Sequence, residues 1–149
     1  MSVSIRAWRE SDLPVLTRIR SDEGLQAQLM ARPKPNDVLQ WLERRTTDPS
    51  GAFFVIDSDG ACAGFVQLTG IEQGIAAFVG ICVDPAAQGR GLGGEALALI
   101  EAHAARVYGV RTVKLQVLMT NVRAISLYER KGYRRVASLA DSCLMEKVA

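Results

Sequence analysis

Fourteen residues restrict what this chain can become more than any others: Ile81-Cys82-Val83-Asp84-Pro85-Ala86-Ala87-Gln88-Gly89-Arg90-Gly91-Leu92-Gly93-Gly94. An apolar run stops at Asp84-Pro85, a short glycine-rich loop follows, and a long amphipathic segment begins at about Leu92. The pattern predicts a strand, a tight turn and a helix N-terminus in succession. Glycines in such a turn remove the Cβ atoms that would block close approach. The first amides of the helix point outward at the positive end of its dipole. The guest that suits this arrangement is an anion, phosphate or pyrophosphate.

Read literally, Gly89-Arg90-Gly91-Leu92-Gly93-Gly94 satisfies the dinucleotide fingerprint G-x-G-x-x-G. That fingerprint needs an acidic residue about 20 residues on, at the end of the next strand, to hold ribose hydroxyls. The next apolar run, Thr112 to Leu118, ends in Met119 with neither Asp nor Glu. Too little chain follows for a doubly wound sheet, so the dinucleotide reading fails on context.

With 149 residues, 48% of them hydrophobic and 23% charged, the chain is expected to form one domain, residues 1–149, with a full core. A formal net charge of +2 gives no reason to expect nucleic acid as a partner or an anionic membrane surface. No apolar run approaches the roughly 18–20 residues that span a bilayer, and the first residues lack an apolar signal core, so a cytoplasmic protein is expected. Cys62, Cys82 and Cys143 are odd in number and widely spaced, which suits buried thiols in strands better than disulfides or a zinc site, and no metal is expected.

Taken in order, Val3 to Trp8 alternates as a first strand, and Glu10-Ser11-Asp12 offers capping oxygens ahead of a helix carrying Leu13, Leu16 and Ile19. Periodicity is poor from Ser21 to Asn36, with a helical turn expected around Leu25 to Met30. Asn36-Asp37 caps a second helix, with Val38, Trp41, Leu42 and Arg45 on one face. Strands follow at Phe53 to Ile56, Cys62 to Gly70 and Ile75 to Val83, the first two joined by a hairpin turn at Asp57-Ser58-Asp59-Gly60. The helix from Leu92 is expected to bury Leu92, Ala96, Leu99, Ile100, His103 and Val107, ending at Gly109. His103, the one histidine, sits about 15 Å along that helix from the loop and reads as a packed residue rather than a base. Thr112 to Leu118 forms a fifth strand parallel to the fourth, because a helix connects them. A short helix from Asn121 to Arg130 and two strands, Tyr133 to Ser138 and Cys143 to Val148, complete the chain.

Two segments resemble the GNAT superfamily of N-acetyltransferases. Gln88-x-x-Gly91-x-Gly93 is similar to its acyl-CoA pyrophosphate loop. Thr120-Asn121-Val122-Arg123-Ala124-Ile125-Ser126-Leu127-Tyr128-Glu129-Arg130-Lys131-Gly132-Tyr133 resembles its second signature, N-x-x-A-[IR]-x-L-Y-x-[KR]-x-G-[FY]. The element order fits the family along essentially the whole chain. The resemblance implies a mixed α/β (α+β) domain with a mostly antiparallel central sheet of about seven strands, about four flanking helices, and splayed fourth and fifth strands. Spacing adds to the second motif independently. Asn121 and Tyr128 are seven residues apart, so they share a helix face about 10 Å apart, although Asn121 taken alone reads as a helix cap.

What the resemblance implies for function is transfer of an acetyl group from acetyl-CoA to a primary amine by direct attack. Pantetheine would run between the splayed strands, beside Ile81, Cys82 and Val83. The pyrophosphate would rest on Gln88, Gly89, Arg90, Gly91, Leu92, Gly93 and Gly94, with Asn121, Ala124 and Tyr128 on the facing helix. Tyr128 would protonate the leaving thiolate as general acid. Many relatives carry a glutamate base on the fourth strand, but Ala76 to Val83 holds no carboxylate; Glu72, in the preceding turn, is the nearest. An amine of pKa near 8 is about one-fifth neutral near pH 7.4, whereas a lysine-type amine at about 10.4 is roughly 0.1% neutral, so the missing carboxylate leans towards a low-pKa amine or a water-mediated proton path. Met30, Arg32 and Trp41 are the expected acceptor contacts, for a small-molecule or peptide amine. The alternative is an acyl-CoA-binding sensor without turnover. Family members often dimerise through edge strands, which leaves a homodimer open.

Overall fold

Asp59-Gly60 makes the sharpest local decision in the sheet. Both residues adopt positive φ (54° and 92°), the backbone of a two-residue hairpin whose twist matches that of its strands. The computed structural model describes residues 2–26 and 38–149. Around the hairpin lie β1 (Val3–Arg6), α1 (Leu13–Ser21), α2 (Glu23–Gln26), α3 (Val38–Thr47), β2 (Ala52–Ser58), β3 (Ala61–Glu72) and β4 (Ala76–Val83). After the glycine-rich loop come α4 (Leu92–Tyr108), β5 (Thr112–Leu118), α5 (Val122–Arg130), β6 (Arg134–Ser138) and β7 (Ser142–Val148). The result is the expected mixed architecture: a seven-stranded sheet in the order β1-β2-β3-β4-β5-β7-β6, antiparallel except for the parallel pair β4/β5. Four helices of nine residues or more flank it, among the described residues.

Both faces of the sheet are covered, which explains why β2 and β3 read as nearly continuous apolar runs. On one face, α4 and α5 pack Leu92, Leu97, Ile100 and Ile125 against Val66, Leu68 and Leu115. On the other, Leu16 and Ile19 of α1 and Trp41 and Leu42 of α3 pack against Phe53, Val55, Phe65 and Cys82. Trp41 meets Phe53 and Phe65 edge-on, with ring centroids 5.2 and 5.1 Å apart.

Three local expectations need correction. The buried stripe of α4 runs through Leu92, Ala96, Leu97, Ile100 and Ala104, while Leu99 and Val107 face solvent. The three- and four-residue spacing admits both sets, and only the direction of the sheet selects one. The first strand ends at Arg6, where its pairing with Val55 ends, rather than at Trp8. Asp12 does not cap α1. Its carboxylate faces back and takes two hydrogen bonds from Arg6 (2.7 and 2.9 Å) and one from the Arg9 amide (2.9 Å), because a charge-assisted bidentate pair outweighs a cap. His103 sits edge-on to Phe54 and Tyr108 and its pKa is lowered by burial, as suits a packed residue.

Candidate active site

The site begins where a ladder opens. β4 and β5 pair at Ala76↔Thr112, Ala77↔Val113 and Phe78↔Lys114, and no further. From Val79 onward β4 stays on β3 alone, so its other edge faces a cleft of about 1010 Å³. Which groups that edge presents follows from strand alternation. The Asp84 amide donates to Ala63 O (2.8 Å), and a Cβ on Gly64 would lie 2.1 Å from Cys82 O, so Cys82 and Asp84 point their main chain at β3. With a period of two, the N–H and C=O of Ile81 and Val83 turn the other way, into the cleft. An extended ligand with amides of its own can continue the sheet there.

At the end of β4, Asp84 caps a 3₁₀ turn, Pro85–Ala87, by accepting from the Ala86 amide (3.3 Å). It also receives the Arg18 guanidinium from α1, tying that helix to the loop. The loop then needs left-handed backbone at Gly89 (φ 83°) and at Gly91 (φ 77°), the residue before α4. A Cβ at either position would meet no heavy atom within 4 Å, so this space is open to a ligand. Gly91 has no side chain to cap α4, and the first helical amides lack intrahelical acceptors, so they remain donors at the positive end of a 17-residue helix. Leu92, 1% exposed, anchors the turn from the core side. Gln88 bridges the loop to both walls: its Nε2 donates to Val83 O (3.2 Å) and its Oε1 accepts from Arg123 (3.4 Å).

The facing wall is α5. Asn121 caps it by accepting from the Ala124 amide (3.3 Å), and Asn121, Ala124 and Tyr128 all line the cleft. The Tyr128 phenol is pushed up to about 12 by burial first, so it is protonated at neutral pH. Its ring stands against Tyr133 (centroids 5.8 Å apart), whose hydroxyl donates to Glu101 (2.6 Å). Lys147 donates to the same carboxylate (3.0 Å), so the ring that Tyr128 packs against is itself held by a half-buried polar chain. The neighbouring Cys82 thiol is likewise pushed up to about 12 by burial, which suits a packed thiol rather than a nucleophile.

The expected site residues divide clearly. Ile81, Cys82, Val83, Gln88, Gly89 and Gly91 line the cleft, as do Leu92, Gly93, Gly94 and Trp41. Arg90 does not; its Nε reaches back to Ala87 O (3.5 Å). Glu72 does not either. It pairs with Ala76, about 16 Å along β4 from Ile81, and its carbonyl closes the turn with the Ile75 amide. Met30 and Arg32 lie outside the described residues. The structure adds groups that the motifs did not point to: Arg20 and Asp22 at the end of α1, Gln67 and Thr69 on β3, and Gln116 on β5. For Gln67, Thr69 and Gln116 the signal, polar residues at period two interrupting apolar strands, was present but had no partner in sequence; Arg20 and Asp22, at the end of a helix, carry no such signal. Asp22 is the one carboxylate among the described residues that line the cleft.

The chemistry on offer is therefore an anion cradle at one end, a strand edge for amides in the middle, and a protonated phenol on the wall. Comparison with known proteins meets this from outside. The model of the acetyltransferase (GNAT) family matches residues 7–133. Over 90 residues, 60% of this chain, the sequence is 39% identical to mycothiol acetyltransferase of Thermomonospora curvata, and the match covers 30% of that protein. The matched stretch thus spans under a third of such a relative's length. The fold superposes on spermidine N-acetyltransferase of Vibrio cholerae, solved with CoA and spermine, with a TM-score of 0.87 at 18% identity over 98% of this chain and 95% of that one. It also superposes on N-acetyltransferase PseH of Campylobacter jejuni, solved with acetyl coenzyme A, with a TM-score of 0.78 at 16% identity over 99% of both chains.

Proposed function

The chain belongs to the GNAT acetyltransferase family, and from that premise we propose that it is an acetyl-CoA-dependent N-acetyltransferase. It moves an acetyl group to a primary amine by direct attack, with Tyr128 as the general acid. The observation that carries this reading is the opened β4/β5 ladder, with a glycine-and-helix anion cradle at one end and the protonated Tyr128 phenol on its wall. Solved relatives of the same fold carry CoA with a polyamine, or acetyl coenzyme A, which supports both the cofactor and the amine.

The residues present fit the cofactor. The amides of the Gln88–Gly94 loop and of the first turn of α4 take the pyrophosphate, and the open space at Gly89 and Gly91 admits it. The outward main chain of Ile81 and Val83 takes the pantetheine amides. Bound acetyl-CoA supplies a thioester: the amine nitrogen bonds to its carbonyl carbon, the C–S bond breaks, and the thiol leaves. Main-chain amides of the Val83 region hold the oxygen as it gains charge. Tyr128 gives its proton to the departing sulfur and is reprotonated from solvent, which also takes the proton that the amine sheds.

The test is thiol release from acetyl-CoA across a panel of amines, with CoA binding measured in parallel. Amine-dependent release is expected. Tight CoA binding with no release on any amine would replace the enzyme with a CoA-binding sensor, and failure to bind CoA would remove the reading altogether.

A further inference from the structure

Where the ladder opens, β3, β4 and β5 bring two carboxamides and a bare glycine to the lining of one cleft. Gln67 of β3 pairs with Gly80 of β4. Gln116 stands on β5 two residues past Lys114, the last residue paired with β4, so strand alternation puts it on the same face as Phe78 and Gly80. All three line the cleft. A Cβ on Gly80 would lie 3.2 Å from Gln67 Nε2 and 3.3 Å from its Cγ, so the Gln67 side chain already occupies the room above the glycine. Its Oε1 is buried and has no hydrogen-bond partner among the described residues. Buried acceptors are almost always paired in folded proteins, so one left open in a cleft lining points to a donor that a ligand brings. Gln116 differs: its Nε2 is committed to Ser142 Oγ (2.9 Å).

We infer that Gln67 receives the acceptor, its unpartnered Oε1 accepting one N–H of the attacking primary amine while its Nε2 lies over Gly80. This rests on the transferase reading. A neutral primary amine has two N–H groups and one lone pair; holding one N–H at Gln67 turns the lone pair towards the reacting carbon. Phe65, Phe78 and Trp41 flank the position, so the amine is carried on a stem that tolerates apolar and aromatic contact. A carboxamide accepts a hydrogen bond but takes no proton. The titratable and charged groups facing this end are Arg20 and Asp22 at the end of α1, Cys82 on β4 and Tyr128 on α5. Of these, Asp22 already accepts from the Leu25 amide (2.9 Å), and the Arg20 guanidinium lies 4.3 Å over the Trp41 ring.

The experiment uses the full chain with acetyl-CoA and the best amine from the panel, comparing wild type with Gln67→Met, Gln67→Ala and Gln67→Glu. Gln67→Met keeps the volume and removes the acceptor oxygen. It is expected to raise the amine KM about tenfold, as loss of one hydrogen bond to a reacting group does, with the acetyl-CoA KM and CoA affinity within twofold. Gln67→Ala should do the same, with unchanged CoA binding reporting an intact fold. Gln67→Glu restores an acceptor and adds a base, so it should recover the amine KM and move the acid limb of the pH–rate profile to lower pH. An unchanged amine KM in Gln67→Met, or an equal rise in both KM values, overturns the assignment while leaving the transferase standing. No thiol release by wild type on any amine overturns both.

Discussion

At the loop end of the cleft the donors are backbone amides from one contiguous stretch, Gln88 to Gly94, whereas the other end takes Gln67, Gly80, Gln116 and Trp41 from four different elements. The first end can be written into a short motif because its chemistry needs only φ angles and a helix start. The second exists only once β3, β4, β5 and α3 have packed. The difference teaches where each end is vulnerable. The loop end responds to backbone changes within itself; the other end responds to changes far away in sequence.

Tyr128 stands between the two and gives the largest expected effect. Tyr128→Phe removes the proton donor and should lower kcat by about 10²–10⁴, with CoA affinity within twofold, read by thiol release and calorimetry. An unchanged kcat would leave the wall without a chemical role. Beside the other end of the cleft, Arg6 and Asp12 anchor the start of α1, the helix that carries Ile19 and Arg20 to the lining. The Arg6 hydrogen bond holds the Asp12 carboxyl below the usual carboxylate range. Its folded pKa thus lies below the unfolded value near 3.9, so the stabilisation is complete above about pH 5 and is lost as pH falls through the folded value. Asp12→Asn should lose about 2–3 kcal/mol at neutral pH, the worth of hydrogen bonds to a charged group. Its melting temperature should also fall less steeply below pH 5 than that of wild type, as thermal denaturation across pH would read out.

At the loop end, Gly91→Ala forces a Cβ into left-handed backbone at a penalty of about 1–2 kcal/mol. CoA Kd should rise about tenfold while the amine KM stays within twofold, the mirror image of the Gln67 variants. A loss confined to the amine KM would merge the two ends into one. The smallest effect belongs to Arg123, exposed and 3.4 Å from Gln88. Arg123→Ala should weaken CoA by no more than about threefold, and less at high salt, as solvent screening dictates.

Much of the fold was legible because its signals are local. Asp59-Gly60 dictates a hairpin, Asn121 and Gly132 bound α5, and the helix between β4 and β5 makes those strands parallel. The motifs located the loop and Tyr128. The α4 stripe was not legible, since Leu97 and Ala104 compete with Leu99 and Val107 at the same spacing and only the direction of the sheet decides. Asp12 misled for a related reason: a carboxylate before a helix reads as a cap until Arg6 arrives on it. Glu72 was nearest to the site in sequence, yet a strand rising about 3.3 Å per residue carries it out of reach.

By itself, then, the sequence determined the elements, the glycine-rich loop and the phenol on the facing helix, because glycine φ, helix starts and residue spacing act over a few bonds. The tertiary structure alone decided where the ladder opens, which strand edge faces the cleft, and that Gln67 pairs with Gly80 while Gln116 joins them in the cleft lining. Those depend on the register between strands separated by tens of residues, which is set by the packing of both sheet faces.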